Sequence, residues 1–139
     1  MSNLEKTLSI IKPDAVERNL ESQIKEMFLA NDFKIISEKK IQIEKSEAEK
    51  FYKVHETKPF YNDLCAYLSS GPIVVMVLEK ENAVVENRKI MGATNPKEAN
   101  DGTIRKKFGI SIDKNSVHGS DSLDNAKKEI DFFFRNWYF

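Results

Sequence analysis

Apolar residues alternate between strand-like and helix-like spacing along the first third of the chain. A short strand is predicted over residues 8–11, and Pro13 ends it because proline cannot donate to a sheet ladder. An isoleucine-rich segment over residues 33–43 predicts a second strand. Between the two strands, apolar side chains recur every three or four residues and predict an amphipathic helix: Leu20, Ile24, Met27 and Phe28.

The central part of the chain predicts two helical segments, then a strand and a third helix. Ser46 and Glu49 have the spacing of a capping box, which predicts that a helix begins there. Residues 60–68 carry apolar side chains at helical spacing. Residues 73–78 form an unbroken apolar run, which is typical of a strand buried on both faces. Asn82 is a suitable cap for the helix that follows.

The pattern breaks down between residues 92 and 116, where Gly, Pro, Asn and Asp are frequent. One helical turn is predicted over residues 104–108. A long irregular stretch in a small domain is usually functional or disordered. Function is the better hypothesis because the stretch contains Thr94, Arg105 and Asn115. Residues 117–118 predict a last short strand, and residues 120–121 predict the cap of a final helix with one apolar side: Leu123, Ala126, Ile130 and Phe133 or Phe134.

The order of these elements predicts the fold class. Alternating strands and helices in 139 residues indicate one domain, residues 1–139, with an α/β sandwich architecture. A ferredoxin-like βαββαβ core, with a four-stranded antiparallel sheet and flanking helices, fits the order. A small doubly wound fold is the close alternative on pattern alone.

Composition narrows the classes of partner and the compartment. The chain has 22 Lys and Arg against 22 Asp and Glu, so a general nucleic-acid coat or a membrane-surface protein is not expected. Cys65 is the only cysteine, which excludes an intramolecular disulfide and fits a reducing compartment. No secretory signal is recognised, and the longest apolar run is too short to span a bilayer. We therefore expect a cytoplasmic protein with no membrane partner.

The two histidines differ in their sequence surroundings. His55 lies among charged residues near a helix end, so a solvated surface position is expected. His118 ends a predicted strand, and Gly119 and Ser120 lead into a helix whose N-terminus favours anions. A neutral imidazole is nucleophilic at pH 7, and Ser120 and Glu129 could orient it. On these residues alone, a structural histidine is about as good an interpretation.

The sequence contains neither a G-x-x-x-x-G-K-[ST] loop nor a G-x-G-x-x-G loop, so a phosphate site would have to use side chains. The candidate cations are Lys12 at a strand end, Arg88 on a helix and Arg105 in the long loop. Taken singly, each is more commonly a surface charge. Phe60 could present its ring to a base, although a core aromatic is the more ordinary interpretation.

Several motifs together resemble those of the nucleoside diphosphate kinase family. Residues 115–122 read N-S-V-H-G-S-D-S and match the family signature N-x-x-H-G-S-D-S. Other segments resemble family motifs and occur in the expected order: residues 9–16, 58–61, 70–74, 92–96 and 102–105. The resemblance extends from near the start of the chain to about Glu129, which makes it highly specific.

The resemblance implies a mechanism and a set of residue roles. A nucleoside triphosphate, mainly ATP, gives its γ-phosphoryl group to His118, and a second nucleoside diphosphate, ribo or deoxy, collects it. Mg²⁺ is expected to arrive with the nucleotide, with no protein metal site. By matching position, the resemblance implies that the phosphates are bound by Lys12, Arg88, Thr94 and Arg105. The ribose is bound by Asn115 and Lys12, and the base stacks on Phe60. The histidine is supported by Tyr52, Ser120 and Glu129.

Some features depart from the family or leave alternatives open. The family often has glycine where this chain has Ala15, Asn19, Ser22 and Lys80, which puts local turn geometry in doubt. The aromatic end, residues 132–139, could pack on its own core or form a subunit contact. The family assembles as tetramers or hexamers, and a homotetramer is slightly favoured. A non-catalytic nucleotide-binding module is the alternative function, and a nucleic-acid role through residues 105–107 is not expected.

Overall fold

The computed structural model describes residues 4–112 and 114–134. Four strands and seven α-helices follow one another within this part of the chain. Two 3₁₀ turns, Lys53–His55 and Pro96–Glu98, lie between them. The elements in chain order are β1 Leu4–Ile11, α1 Pro13–Glu17, α2 Glu21–Ala30, β2 Lys34–Ile41, α3 Lys45–Phe51, α4 Tyr61–Leu68, β3 Ile73–Glu81, α5 Ala83–Met91, α6 Ile104–Phe108, β4 Val117–Gly119 and α7 Leu123–Phe133.

The four strands form one antiparallel sheet in the order β2-β3-β1-β4. β1 pairs with β3 along its whole length, from Leu4 opposite Glu81 to Ile11 opposite Val74. The other edge of β1 pairs with the three residues of β4. This order confirms the ferredoxin-like prediction, and the antiparallel pairing excludes the doubly wound alternative, whose sheet is mostly parallel.

The sheet has a hydrophobic cluster on each face, because successive side chains of a strand point to opposite sides. On one face, Ile11 and Met76 pack against α1, α2, α5 and α6. On the other face, Leu8 and Val75 pack against α3, α4 and α7. Residues 73–78 of β3 are all buried, as the unbroken apolar run predicts. The result is a sheet covered on both faces, with β4 at one edge.

Three helix starts differ from the expected caps. The helix near Ser46 begins at Lys45, because the Glu47 carboxylate accepts the backbone N–H of Glu44 and places Ser46 inside the first turn. Asn82 precedes α5 with φ of 56° and makes no side-chain cap bond. The last helix is capped by Ser122, whose hydroxyl accepts the N–H of Asn125 at 3.1 Å. The capping prediction over residues 120–121 was therefore wrong in position.

The structure settles part of two questions that the sequence left open, namely the turn at Asn19 and the packing of the aromatic end. Asn19 has φ of 58°, the left-handed conformation that glycine adopts most easily, and asparagine is among the few other residues that tolerate it. Phe132 and Phe133 pack on Phe51, with ring centroids 5.6 and 5.1 Å away. Residues 135–139 lie outside the described part, so a subunit contact there stays a prediction.

Within residues 4–112 and 114–134, no helix has the length and apolar character needed to cross a membrane.

Candidate active site

A cleft of about 910 Å³ lies beside β4 and is lined by cationic, aromatic and amide side chains. Its lining comes from segments far apart in the sequence, between Lys12 and Phe132. Nine of the ten predicted site residues line it: Lys12, Tyr52, Phe60, Arg88, Thr94, Arg105, Asn115, His118 and Glu129. The tenth, Ser120, is fully buried beside the cleft. The fold therefore brings the whole predicted set together.

His118 is the middle residue of β4 and is paired with Ile10 of β1. Its side chain is 21% exposed, and its Nε2 lies 3.0 Å from Oε1 of Glu129 on α7. A carboxylate oxygen can only accept, so the contact selects the tautomer, or charged form, with a proton on Nε2. In the neutral ring, Nδ1 then holds the lone pair, and it has no hydrogen-bond partner among the described residues. The ring is thus set up as a nucleophile at Nδ1.

Ser120 supports the carboxylate instead of the imidazole. Its hydroxyl donates to Oε1 of Glu129 at 2.8 Å, the same oxygen that faces His118. Its backbone N–H donates to the carbonyl of Leu8, which ties the segment after β4 to β1. Ser120 therefore acts on the ring indirectly: it orients the Glu129 carboxylate, and that carboxylate orients the imidazole.

Two aromatic side chains from the α3 region surround the imidazole. The centroid of the Phe51 ring lies 5.4 Å from that of His118, and the Tyr52 centroid lies 6.3 Å away, both edge to face. Burial, with the Glu129 charge as a further cause, raises the pKa of Tyr52 well above its ordinary value, so its phenol stays protonated. Phe51 was not singled out in the sequence, because its spacing is that of a core residue.

Lys12, Asn115 and Thr94 form a chain of hydrogen bonds across the cleft wall. The Lys12 ammonium donates to Oδ1 of Asn115 at 3.0 Å. The Asn115 side-chain amide donates in turn to the carbonyl of Thr94 at 3.1 Å. Three segments separated by up to 103 residues are held together in this way. These side chains therefore keep a fixed geometry where sugar and phosphate groups would bind.

Arg105 and Arg88 are the two arginines of the lining, which also includes Lys50, Lys53 and Lys128. Arg105 is 9% exposed, and its guanidinium donates to the carbonyls of Gly92 at 3.0 Å and Val117 at 2.9 Å. Burial, then the charge of Arg88, lowers the pKa of Arg105 to about 10. It therefore stays charged at neutral pH. The bonds to Gly92 and Val117 leave other N–H groups of the guanidinium unused, and Arg105 lines the cleft, so it can also donate to an anionic ligand.

The cleft lining also includes exposed apolar side chains, among them Phe60. The Phe60 side chain is 47% exposed, and Ile112 of the long loop, 55% exposed, lines the same cleft. His55 also lines it, with its ring 6.0 Å from that of Phe60, so this partly buried residue is more than a solvated surface group. Ile112 is a site residue that the sequence marks only weakly, as an apolar residue in a mostly polar loop.

Gly119 allows β4 to approach α5. A Cβ atom at this position would lie 2.3 Å from the Asn87 amide nitrogen and 2.8 Å from the Met91 sulfur. We expect Gly119→Ala to destabilise the fold by about 1–3 kcal/mol through overpacking, and to lower activity because His118 is adjacent. Thermal unfolding measures the first effect. Gly71→Ala is the matched control, since a Cβ there meets its nearest atom at an ordinary 3.7 Å. Equal melting temperatures of the two variants would contradict the prediction.

Comparisons with known proteins agree with this geometry. The family model described as nucleoside diphosphate kinase matches residues 5–138. A nucleoside diphosphate kinase of a Nitratiruptor species is 60% identical over 131 residues, which cover 94% of this chain and 96% of that protein. One of Campylobacter jejuni subsp. jejuni (serotype O:6) is 58% identical over 132 residues, or 95% and 96% of the two chains.

Solved structures support the same assignment. A crystal structure of the Aquifex aeolicus nucleoside diphosphate kinase superimposes with a TM-score of 0.94 at 39% identity, covering 96% of each chain. That of the Encephalitozoon cuniculi nucleoside diphosphate kinase gives 0.90 at 36% identity, covering 94% of this chain and 88% of the other. The chain therefore belongs to the nucleoside diphosphate kinase family, and it is a phosphotransferase.

Proposed function

We propose that the chain transfers the γ-phosphoryl group of a nucleoside triphosphate, mainly ATP, to other nucleoside diphosphates through a phosphohistidine at position 118. The observation that carries this proposal is the Glu129 contact to Nε2, which leaves Nδ1 of His118 as the nucleophilic nitrogen in the cleft. No separate base is needed, because a neutral imidazole has no proton to lose before it attacks.

The reaction has two matched halves. Nδ1 forms a bond to the γ-phosphorus while the bond from that phosphorus to the bridging oxygen breaks, and the nucleoside diphosphate leaves with both electrons of that bond. The imidazole gains a positive charge, which the Glu129 carboxylate stabilises through the Nε2 proton. A terminal oxygen of a second diphosphate then attacks the phosphorus, and the N–P bond breaks to restore His118. Because both half-reactions use the same site, the first product leaves before the second substrate binds, which gives ping-pong kinetics.

The cations lower the barrier by positioning and by balancing charge. Phosphoryl transfer proceeds through a loose transition state, so fixed positive groups contribute more than covalent assistance. We assign phosphate binding to Arg88 and Arg105, with Lys12 and Thr94. Asn115 and Lys12 are assigned to the ribose, because their mutual hydrogen bond places both side chains in one part of the cleft.

Mg²⁺ is the cofactor that this chemistry implies. Residues 4–112 and 114–134 contain no cluster of three or more His, Cys, Asp or Glu side chains able to hold a metal. The lining fits an ion whose ligands are mostly phosphate oxygens and water, with the Asp121 carboxylate also at the cleft. When bound, the ion would neutralise part of the charge on the phosphate oxygens. No protein metal cage is proposed.

The base is expected to bind by stacking on Phe60. An aromatic face accepts any base, so broad tolerance among purines and pyrimidines is expected. We expect Phe60→Ala to raise KM for every nucleoside diphosphate by roughly 5- to 150-fold, equivalent to about 1–3 kcal/mol of lost stacking, with a smaller change in kcat. Steady-state kinetics with ADP, GDP and CDP measures this. The matched control is Phe134→Ala, whose ring does not line the cleft. An unchanged KM would rule out the stacking role.

Labelling with γ-³²P-ATP in the absence of acceptor tests the proposed function. We expect label on the protein that is stable to base, labile to acid and transferred to GDP on addition. His55→Ala should retain the label, because His118 is still present. A label that resists acid, or one that GDP does not remove, would contradict a phosphohistidine intermediate. The non-catalytic alternative predicts nucleotide binding with no label.

We also propose that the protein acts in the cytoplasm as a homo-oligomer, with a tetramer slightly favoured over a hexamer. The lone cysteine, Cys65, is buried and free, which fits a reducing compartment. β2 is an edge strand of the sheet, paired only with β3 among the described strands, and edges are commonly covered by a neighbour. Sedimentation velocity measures the assembly size.

A further inference from the structure

Ser116, between Asn115 and β4, adopts an unfavourable backbone conformation. Its φ is 75°, and the backbone N–H of Val117 donates to the carbonyl of Asn115 at 2.9 Å. A bond from residue i+2 to residue i across a positive φ defines the rare, strained form of the γ-turn. A residue with a Cβ is strained at this positive φ, so the surroundings must hold Ser116 there.

Three hydrogen bonds hold the turn, the third and longest being from Nη2 of Arg18 to the Ser116 hydroxyl at 3.4 Å. The Ser116 carbonyl accepts the backbone N–H of Lys12 at 2.8 Å. The Ser116 hydroxyl donates to Oδ2 of Asp14 at 3.2 Å, and both side chains are buried. The first bond involves only backbone and survives most substitutions. The second depends on one carboxylate, so Asp14 is the part of this arrangement that can be tested.

The Asp14 carboxylate is itself held in place. Its Oδ2 also accepts from Nη2 of Arg18 at 3.1 Å, and its Oδ1 accepts from the Tyr67 hydroxyl. Arg18 Nη2 additionally donates to the carbonyl of Phe108 at 2.6 Å, at the end of α6. The Arg18 side chain is more than a third exposed, so we assign this ion pair a geometric role and no stability.

We propose that Asp14 is a positioning residue for phosphoryl transfer: it holds the strained turn at Ser116 and thereby places Asn115 and His118. Asp14, Arg18 and Ser116 do not line the cleft, so they act only through the residues beside them. Asn115 precedes the turn and bonds Lys12, and His118 follows two residues after Ser116. The proposal rests on the proposed function.

The test uses the fact that glycine adopts a positive φ without strain. In Asp14→Asn, an amide nitrogen replaces one carboxylate oxygen, so the Ser116 hydroxyl loses its acceptor and the turn is held less firmly. We expect kcat/KM for GDP to fall ten- to a hundredfold, the range for small misplacements of a reacting group. Ser116→Gly alone should stay near wild type. The double variant Asp14→Asn/Ser116→Gly should regain most of the lost kcat/KM, because glycine keeps the positive φ without help from the carboxylate. Asp63→Asn, an exposed carboxylate on α4, is the control and should change nothing.

The outcomes separate positioning from general stability. Rates are compared below the melting temperature of the least stable variant. A double variant as impaired as Asp14→Asn, or an Asp14→Asn enzyme with wild-type kcat and KM, would overturn the proposal. If the wild type transfers no phosphoryl group, the proposed function fails. The amide ¹H–¹⁵N signals of Asn115–His118 then decide the inference alone: they should shift in Asp14→Asn and return in the double variant, and unshifted signals would refute it.

Discussion

Replacing His118 with alanine is expected to lower phosphoryl transfer by a factor on the order of 10⁴ or more, because the covalent route is removed. The remaining cations can still bind nucleotide, so the affinity for ADP should change little. The imidazole is partly exposed and its carboxylate partner keeps the Ser120 hydroxyl as a donor, so the fold should persist. Coupled-assay kinetics and calorimetric titration with ADP measure the two quantities separately.

The chain offers its other histidine as the control. His55→Ala removes an imidazole from the same cleft but leaves the Glu129–His118 pair intact. Its kcat should remain within a few-fold of wild type, with any effect confined to KM. A His118→Ala enzyme that transfers phosphate at a rate close to wild type would show that the nucleophile lies elsewhere.

Arg105→Ala is expected to have the second largest effect, because the guanidinium has both a structural and a chemical role. Truncation leaves the carbonyls of Gly92, partly buried, and Val117, buried, without their charged donors, at a cost of about 1.5–3 kcal/mol for each hydrogen bond to a charged group. Loss of a fixed positive charge at the phosphates should also lower kcat by roughly 10²–10³-fold. Chemical denaturation and initial rates measure these effects.

Arg105→Lys separates the two roles. A lysine keeps the charge, but a single ammonium does not have the planar fork that bridges two carbonyls. We expect part of the kcat to return while most of the stability loss remains. If Arg105→Ala melts at the wild-type temperature, the two bonds to Gly92 and Val117 contribute nothing to the fold, and our account of Arg105 is wrong.

Local patterns were sufficient to predict most of the fold. The unbroken run of β3, the helical spacing in α2 and the order of elements each depend on near neighbours in sequence, so they can be read directly. The helix starts were less predictable. Ser46, Ser120 and Ser122 all have suitable side chains for a cap, and only the three-dimensional course of the chain decides which hydroxyl meets an orphan N–H.

The identity of the site residues was predictable where they occur in sequence motifs. The interaction that each one makes was not predictable, because it depends on tertiary contacts. His118, Lys12 and Arg105 occur in motifs, and the cleft brings all three together. The use of the Ser120 hydroxyl on Glu129 depends on how α7 packs against β4, which no spacing encodes. Ile112 has the sequence signal of an ordinary apolar residue, and only the tertiary course of the long loop brings it to the cleft.

The scattered origin of the cleft lining links ligand binding to folding. Lys12 and Phe132 line the same cavity, so no fragment of the chain and no partly unfolded state retains a complete site. A nucleotide that binds only the native state adds RT ln(1 + [L]/Kd) to stability, about 2.7 kcal/mol at a hundred times Kd. Through this coupling, the pool of free nucleotide would control both the catalytic flux and how long each copy of the enzyme resists proteolysis.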